Sequence, residues 1–285
     1  MKLKVFFILS GFILTLIDTA FGRYSDSTFY QNVSLELSGS VKPAVSGRSK
    51  FYIQSGFNWE RYSKSDIRFE GPGYDFTLRD VVAHNQPSKG SLQYNIHFGY
   101  KLNDKYSILL GWDHMKYVVD IPQQVRINGY IESTVSDPAI PTGQYEGVYN
   151  EELITLNPDF LTLEYTDGFN YIKLGGERQQ PLLSFGKGNS KLGLTTGLAA
   201  GVIMPRADVK LFNVGDNNKL NIAGWAASAN AGLKLNITKS LYLQGSLEGG
   251  YAKMFHVYTT GRNDVDKASQ QLTFLQNYWL IGVEF

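Results

Sequence analysis

Apolar residues fall at every second position in segment after segment of this chain. In SLQYNIHFGYKL, Leu92, Tyr94, Ile96, Phe98, Tyr100 and Leu102 share one face, and Gln93, Asn95, His97, Gly99 and Lys101 the other. Successive side chains of a strand point to opposite sides, whereas a helix scatters such a pattern around its axis. The same alternation sets Leu241, Leu243 and Leu247 against Tyr242, Gln244, Ser246 and Glu248. It sets Trp225, Ala227, Ala229, Ala231, Leu233 and Leu235 against Ser228, Asn230, Lys234 and Asn236. At the end of the chain Trp279, Ile281, Val283 and Phe285 oppose Tyr278, Gly282 and Glu284. The pattern predicts eight strands, over 50–64, 90–102, 106–119, 159–175, 191–204, 223–236, 240–257 and 272–285.

The connections alternate in length. Asn103-Asp104-Lys105 and Thr238-Lys239-Ser240 read as tight polar hairpin turns. Between them lie long connections rich in Gly, Pro, Asp and Asn at 65–89, 120–158, 205–222 and 258–271. Short turns at one end and long loops at the other are the asymmetry of a membrane barrel, the short turns lying on the periplasmic side. Two places strain this reading. The turn 176–190 is long for a periplasmic one, and the outward register of Leu161, Leu163 and Tyr165 carries Asp167 toward lipid. A bulge near Gly168, or an Asp167 held above the membrane, relieves the second conflict. Residues 23–49 contain a strand-like VSLELSG, which could be a ninth strand with a tenth hidden in 65–83.

The chain opens with Lys2 and Lys4, an apolar run from Val5 to Ile17, and then Ala20-Phe21-Gly22. This is the pattern of a secretory signal peptide, with cleavage expected after Gly22 and a periplasmic segment following over 23–49. There is no Cys, so disulfides, thiol catalysis and thiolate metal sites are excluded. A formal charge of +1 gives no bulk attraction to nucleic acid. The 18 Tyr, 17 Phe and 29 Gly against 9 Pro suit strands that pack tightly inside and meet an interface outside. A mean hydropathy of −0.20 is what alternating barrel strands average to, and past the first segment no apolar run approaches a helical span.

An apolar terminal strand would be an aggregation hazard in a soluble protein, but a closed barrel has no free edge and its outer solvent is hydrocarbon. The terminal Phe285, with Trp279, Ile281 and Val283 at alternate positions before it, resembles the signal read by the outer-membrane assembly machinery. Together with the strand count and loop asymmetry, it makes the chain similar to the small eight-stranded outer-membrane barrels of the OmpA/OmpX type. That resemblance implies an all-β, antiparallel, up-and-down transmembrane barrel over 50–285, in contact with outer-membrane lipids and lipopolysaccharide.

An eight-stranded barrel is just wide enough to be filled by side chains. The inward polar set is Gln54, Asn58, Glu60, Asn95, His97, Lys101, Asp113, Glu164, Asn170, Asn230, Lys234, Gln244, Glu248 and His256. Charges in so narrow a space must be paired. Glu60, His97, Lys101, Asp113, Glu164, Lys234, Glu248 and His256 are therefore expected to form a hydrogen-bonded plug, and the alternative is a narrow channel along the same groups. A lipid A-modifying enzyme is the third class. Deacylases of the PagL type set a His and a Ser two apart on the penultimate strand, but here His256 is followed by Val257, Tyr258, Thr259 and Thr260. Asp113 and His114 are neighbours and so face opposite ways. His84, His97, His114 and His256 have no metal-ligand spacing. No catalytic residue, cofactor or metal is assigned.

The loops 65–89 and 120–158 mix charged residues with Tyr and Phe, the usual material of binding surfaces. The alternating YDFTLRDVV suggests strands that continue as hairpins above the bilayer. The sequence therefore predicts a closed barrel with a structural or surface-interaction role, whose loops either hold an extracellular ligand or are solvated segments shaped against proteases and lipopolysaccharide.

Overall fold

The computed structural model describes residues 49–135, 139–185, 190–215, 219–260 and 265–285. The expected signal peptide at 1–22, and the 23–49 segment up to Arg48, lie outside the described residues. Eight long strands form the wall: β1 (Phe51–Tyr62), β2 (Tyr94–Lys101), β3 (Tyr106–Met115), β4 (Phe169–Phe185), β5 (Ser190–Pro205), β6 (Gly224–Asn236), β7 (Leu241–Tyr258) and β8 (Lys267–Glu284). Each pairs antiparallel with its neighbours in chain order, and β8 returns to pair with β1 from Tyr52–Glu284 to Tyr62–Phe274. The ring is closed at its end by Phe285, whose amide and carbonyl bond the carbonyl and amide of Phe51 at 2.9 and 3.0 Å. This is a transmembrane β-barrel of eight strands.

Its outer face is apolar because no water is meant to reach it. Ile53, Phe57, Trp59, Phe98, Leu110, Leu174, Leu198, Leu233, Leu243 and Trp279 all stand exposed on the wall. The short turns are set by side chains. Asn103 Oδ1 accepts from the amides of Lys105 and Tyr106 at 2.8 and 3.0 Å, and Thr238 Oγ1 accepts from those of Ser240 and Leu241. Each side chain thus offers the backbone a local partner where the ladder stops.

The fourth strand departs from the sequence expectation. It runs 169–185 rather than 159–175, which leaves residues 186–189, outside the described set, to link it to β5. The overlong turn at 176–190 disappears. Leu161–Glu164 is a separate short strand, and Gly168 at φ +138° breaks the alternation between the two. The inward positions of β4 are consequently Tyr171, Lys173 and Glu177, while Leu174 faces out. Asp167 belongs to the connection before β4, so its conflict with lipid does not arise.

The long connections build a head on one end of the ring. A hairpin of Ser65–Gly71 and Tyr74–Val81 continues the sheet from the upper end of β8, where Ile67–Glu70 pair with Lys267–Gln270. Gln123–Ile131 and Gly147–Leu156 extend it further. The tenth wall strand suspected in 65–83 is not in the ring; the segment forms a hairpin beyond it, as the alternation of YDFTLRDVV suggests. A second sheet joins Ala83–His84, Val118–Val119, Leu161–Glu164 and Asp208–Leu211. Between these sheets lies an apolar core containing Phe69, Phe76, Leu78, Ile127, Phe160, Leu163 and Val209. Tyr145 and Phe160 stack there with centroids 4.6 Å apart.

Candidate functional site

The lumen is filled in three tiers. At the turn end, Glu284 accepts from Lys234 at 2.7 Å and from Lys101, which remains about one-fifth exposed. Tyr52 donates to Glu177 Oε2 at 2.8 Å beside them. Two inward glycines make room for the rings. A Cβ on Gly99 would sit 1.9 Å from Tyr52 Cζ, and one on Gly282 would sit 2.0 Å from Tyr242 Cζ.

In the middle tier Lys173 Nζ bridges two carboxylates. It lies 2.6 Å from Asp113 Oδ2, and 2.7 and 2.6 Å from the two oxygens of Glu248. Asp113 Oδ1 in turn accepts from Asn95 at 2.5 Å and contacts His97 Nε2 at 2.7 Å. Gln54 ties His97 Nδ1 to the Tyr242 hydroxyl. All of these groups are buried. The separate charges of a water-filled pore are replaced here by mutual neutralisation, which is the arrangement a narrow lumen requires.

Toward the head, Glu60 accepts from Asn85, Gln93 and Gln276 at 2.9, 2.6 and 3.4 Å. Asn85 and Gln93 come from the connection between β1 and β2, which folds in over the mouth. Above them Gln270 donates to Ser65 and to Tyr117 at 2.8 and 2.6 Å. Burial pushes the Tyr117 hydroxyl up to about 12, so it remains a donor at any physiological pH.

The sequence-predicted plug residues Glu60, His97, Asp113, Lys234 and Glu248 therefore line the lumen, with Lys101 at its rim. Glu164 and His256 do not. Glu164 sits in the second head sheet and pairs with Lys89. A register shift between Met254 and Val257 hands the inward position to Val257 and leaves His256 half-buried, its ring 5.3 Å from Tyr258. Lys173 was missed because alternation carried across Gly168 inverts the faces of β4, and Glu177 because it was expected in the turn 176–190 and not in a strand. Asp113 and His114 do face opposite ways, Asp113 into the lumen and His114 onto the outer wall. Among the described residues no three His, Asp or Glu side chains gather closely enough to hold a metal ion.

The head is locked by surface pairs as well as by its core. Arg68 donates to both oxygens of Asp75 at 2.8 and 2.7 Å, and these bonds hold the Asp75 carboxyl below the usual range. Arg79 bonds Asp66 at 2.7 Å.

No family model and no curated protein matches this chain. Its likenesses are to solved outer-membrane barrels. Neisserial surface protein A is 14% identical, with a TM-score of 0.34 over 84% of this chain and 99% of that one. The outer membrane protein OprG from Pseudomonas aeruginosa is 11% identical, with a TM-score of 0.38 over 83% and 96%. The outer membrane protein AlkL, determined in lipid bilayers, is 12% identical, with a TM-score of 0.33 over 86% and 93%.

Proposed function

We propose that this chain is a non-conducting outer-membrane anchor that presents a rigid head at the cell surface. The observation that carries this reading is the division of labour between lumen and head. The lumen is crossed by the Lys173–Asp113–Glu248 cluster, while the long connections pack around an apolar core of their own. Loops that only closed a pore would have no need of such a core. The head also offers material for a partner. Tyr130 and Val148 are cross-strand neighbours on its outer sheet, and both stand exposed, Val148 to 84%. Aromatic and aliphatic side chains on a rigid edge sheet suit contact with another protein surface.

The experiment is twofold. Reconstituted in planar bilayers, the full chain is expected to give no stepwise conductance; regular openings would replace this reading with that of a narrow channel. On intact cells, added protease is expected to cut in the head connections 63–93 or 116–168, and full protection would place the head on the inner side. The terminal Trp279, Ile281, Val283 and Phe285 are read as the assembly signal. Deleting Phe285 is accordingly expected to lower the yield of heat-modifiable barrel more than replacing Gln244.

A further inference from the structure

On the outer wall, where β2, β3 and β4 reach the head, three side chains are arranged in series. Ser91 Oγ lies 2.8 Å from His114 Nε2, and His114 Nδ1 lies 2.9 Å from Asn170 Oδ1. The partners of Asn170 fix the direction of this chain. Its Nδ2 donates to the Met204 carbonyl at 3.0 Å, so its Oδ1 is the atom that faces the imidazole. The same Oδ1 also accepts from Trp112 Nε1 at 2.8 Å. An accepting oxygen at Nδ1 requires Nδ1 to carry the ring proton. Nε2 is then left with a lone pair aimed at the Ser91 hydroxyl. Ser91 has one other acceptor, the Thr166 carbonyl at a longer 3.4 Å.

The imidazole is held rigidly. Tyr94 stacks on it at 4.9 Å with the planes 6° apart, and Tyr94, His114 and Asn170 are successive cross-strand partners. Gly168 leaves the space it needs, for a Cβ there would stand 3.1 Å from His114 Cε1 and 2.3 Å from Asn170 Nδ2. His114 and Asn170 are buried, whereas Ser91 is partly exposed.

We infer that Ser91, His114 and Asn170 form a nucleophilic site for ester-linked acyl chains of membrane lipids. Neutral imidazole between a hydroxyl and an orienting amide is the arrangement that activates a nucleophile. The position selects the substrate. Trp112 caps an outer wall of Ile96, Phe98, Ile108 and Leu110, all exposed, and an aromatic so placed marks the level where hydrocarbon gives way to headgroups. Acyl esters lie at that level.

Ser91 Oγ adds to the ester carbonyl carbon as His114 Nε2 takes its proton. The bond from that carbon to the lipid's alkoxy oxygen breaks, and Nε2 returns the proton to the departing alcohol. Water, deprotonated by the same nitrogen, then adds to the acyl-serine; the C–Oγ bond breaks and Oγ recovers the proton. Ester and water become alcohol and fatty acid. The site lies on the outer wall and does not depend on whether the lumen conducts.

The test uses the full chain refolded into vesicles of diacyl glycerophospholipid and, separately, into vesicles carrying lipopolysaccharide. Free fatty acid is measured by mass spectrometry. Release in either arm is expected, and the arm identifies the lipid. His114→Gln should lower the rate by roughly 10²–10⁴-fold, the usual worth of a general base. Asn170→Ala should lower kcat with little change in KM, because Asn170 is a positioning residue. In parallel, a fluorophosphonate should label Ser91 in the folded wild-type chain and not after heat unfolding, a readout that needs no variant. No release from either vesicle overturns the lipid-ester assignment even if Ser91 is labelled. Undiminished release by folded Ser91→Ala overturns the nucleophile.

Discussion

Lys173 and Glu248 are 75 residues apart in sequence, yet the ammonium meets both carboxylate oxygens, at 2.7 and 2.6 Å, inside the barrel. They stand on β4 and β7, which are not neighbours in the ring, so the pair spans the lumen. Lys173→Met would leave Asp113 and Glu248 facing each other without their cation. Breaking a buried pair from one side costs about 3–5 kcal/mol. The variant is expected to unfold at distinctly lower temperature or denaturant concentration in detergent, read by loss of the heat-modifiable band. An unchanged midpoint would mean that water or ions replace the lysine and that the lumen is wetter than described.

Leu198 and Leu153 are similarly exposed, 71% and 66%, but one stands on the wall and the other on the head. In water neither would resist a charge. Leu198→Arg should cost about 2–4 kcal/mol if its surroundings are hydrocarbon. Leu153→Arg should stay within about 0.5 kcal/mol, as surface changes do. Unfolding titrations of both variants in lipid vesicles separate the cases, and equal small effects would remove the bilayer from the wall.

Gly99 faces the lumen beneath the Tyr52 ring, where a Cβ would lie 1.9 Å from Cζ. Gly99→Ala should therefore destabilise the barrel by about 1–3 kcal/mol, the cost of overpacking. Gly176, which has open space at its Cβ position, is the control and should tolerate alanine far better. Comparable losses in both would mean that strand propensity rather than ring packing sets the cost.

Phe160 touches Phe76, Tyr145 and Phe212 with centroids 5.7, 4.6 and 5.5 Å away. Phe160→Ala should weaken the head by about 3–5 kcal/mol. The ring hydrogen bonds of the wall do not involve this side chain. The expected outcome is faster proteolysis within 116–168 while the remaining barrel still shifts on heating.

The Arg68–Asp75 pair gives the head hairpin a pH dependence. Because the folded carboxyl titrates below its ordinary value, its contribution is present above that value and is lost as pH falls through the folded one. The ordinary value for Asp is about 3.9. Hydrogen exchange over 65–81 should speed up in acid in the wild type and change less in Asp75→Asn. Both side chains are exposed, so solvent screening keeps the effect small.

The period of two was enough to reveal a barrel, because a strand that meets hydrocarbon outside and polar groups inside must alternate. The outward residues of β2, β6, β7 and β8 are those the alternation marks, Ile96, Phe98, Tyr100, Trp279 and Ile281 among them. Alternation carries no information across a break in the backbone. Gly168 and the bulge before Val257 each shift the parity, which hid Lys173 and misplaced His256, while Glu164 and Glu177 were misread because the fourth wall strand runs 169–185 and Leu161–Glu164 belongs to the head. Nor does local pattern say that the loops own a core: Phe76, Phe160 and Phe212 meet only when three connections converge. The proposed site is of the same kind. Ser91, His114 and Asn170 lie on separate segments with no shared motif, and hydrogen bonding across three strands brings them within 3 Å of one another in turn. The sequence determined which face of each strand meets lipid, since that choice is made residue by residue by the solvent. Which charge meets which, and which hydroxyl meets an imidazole, was decided by closure of the ring, because partners across a lumen are set by strand order and register.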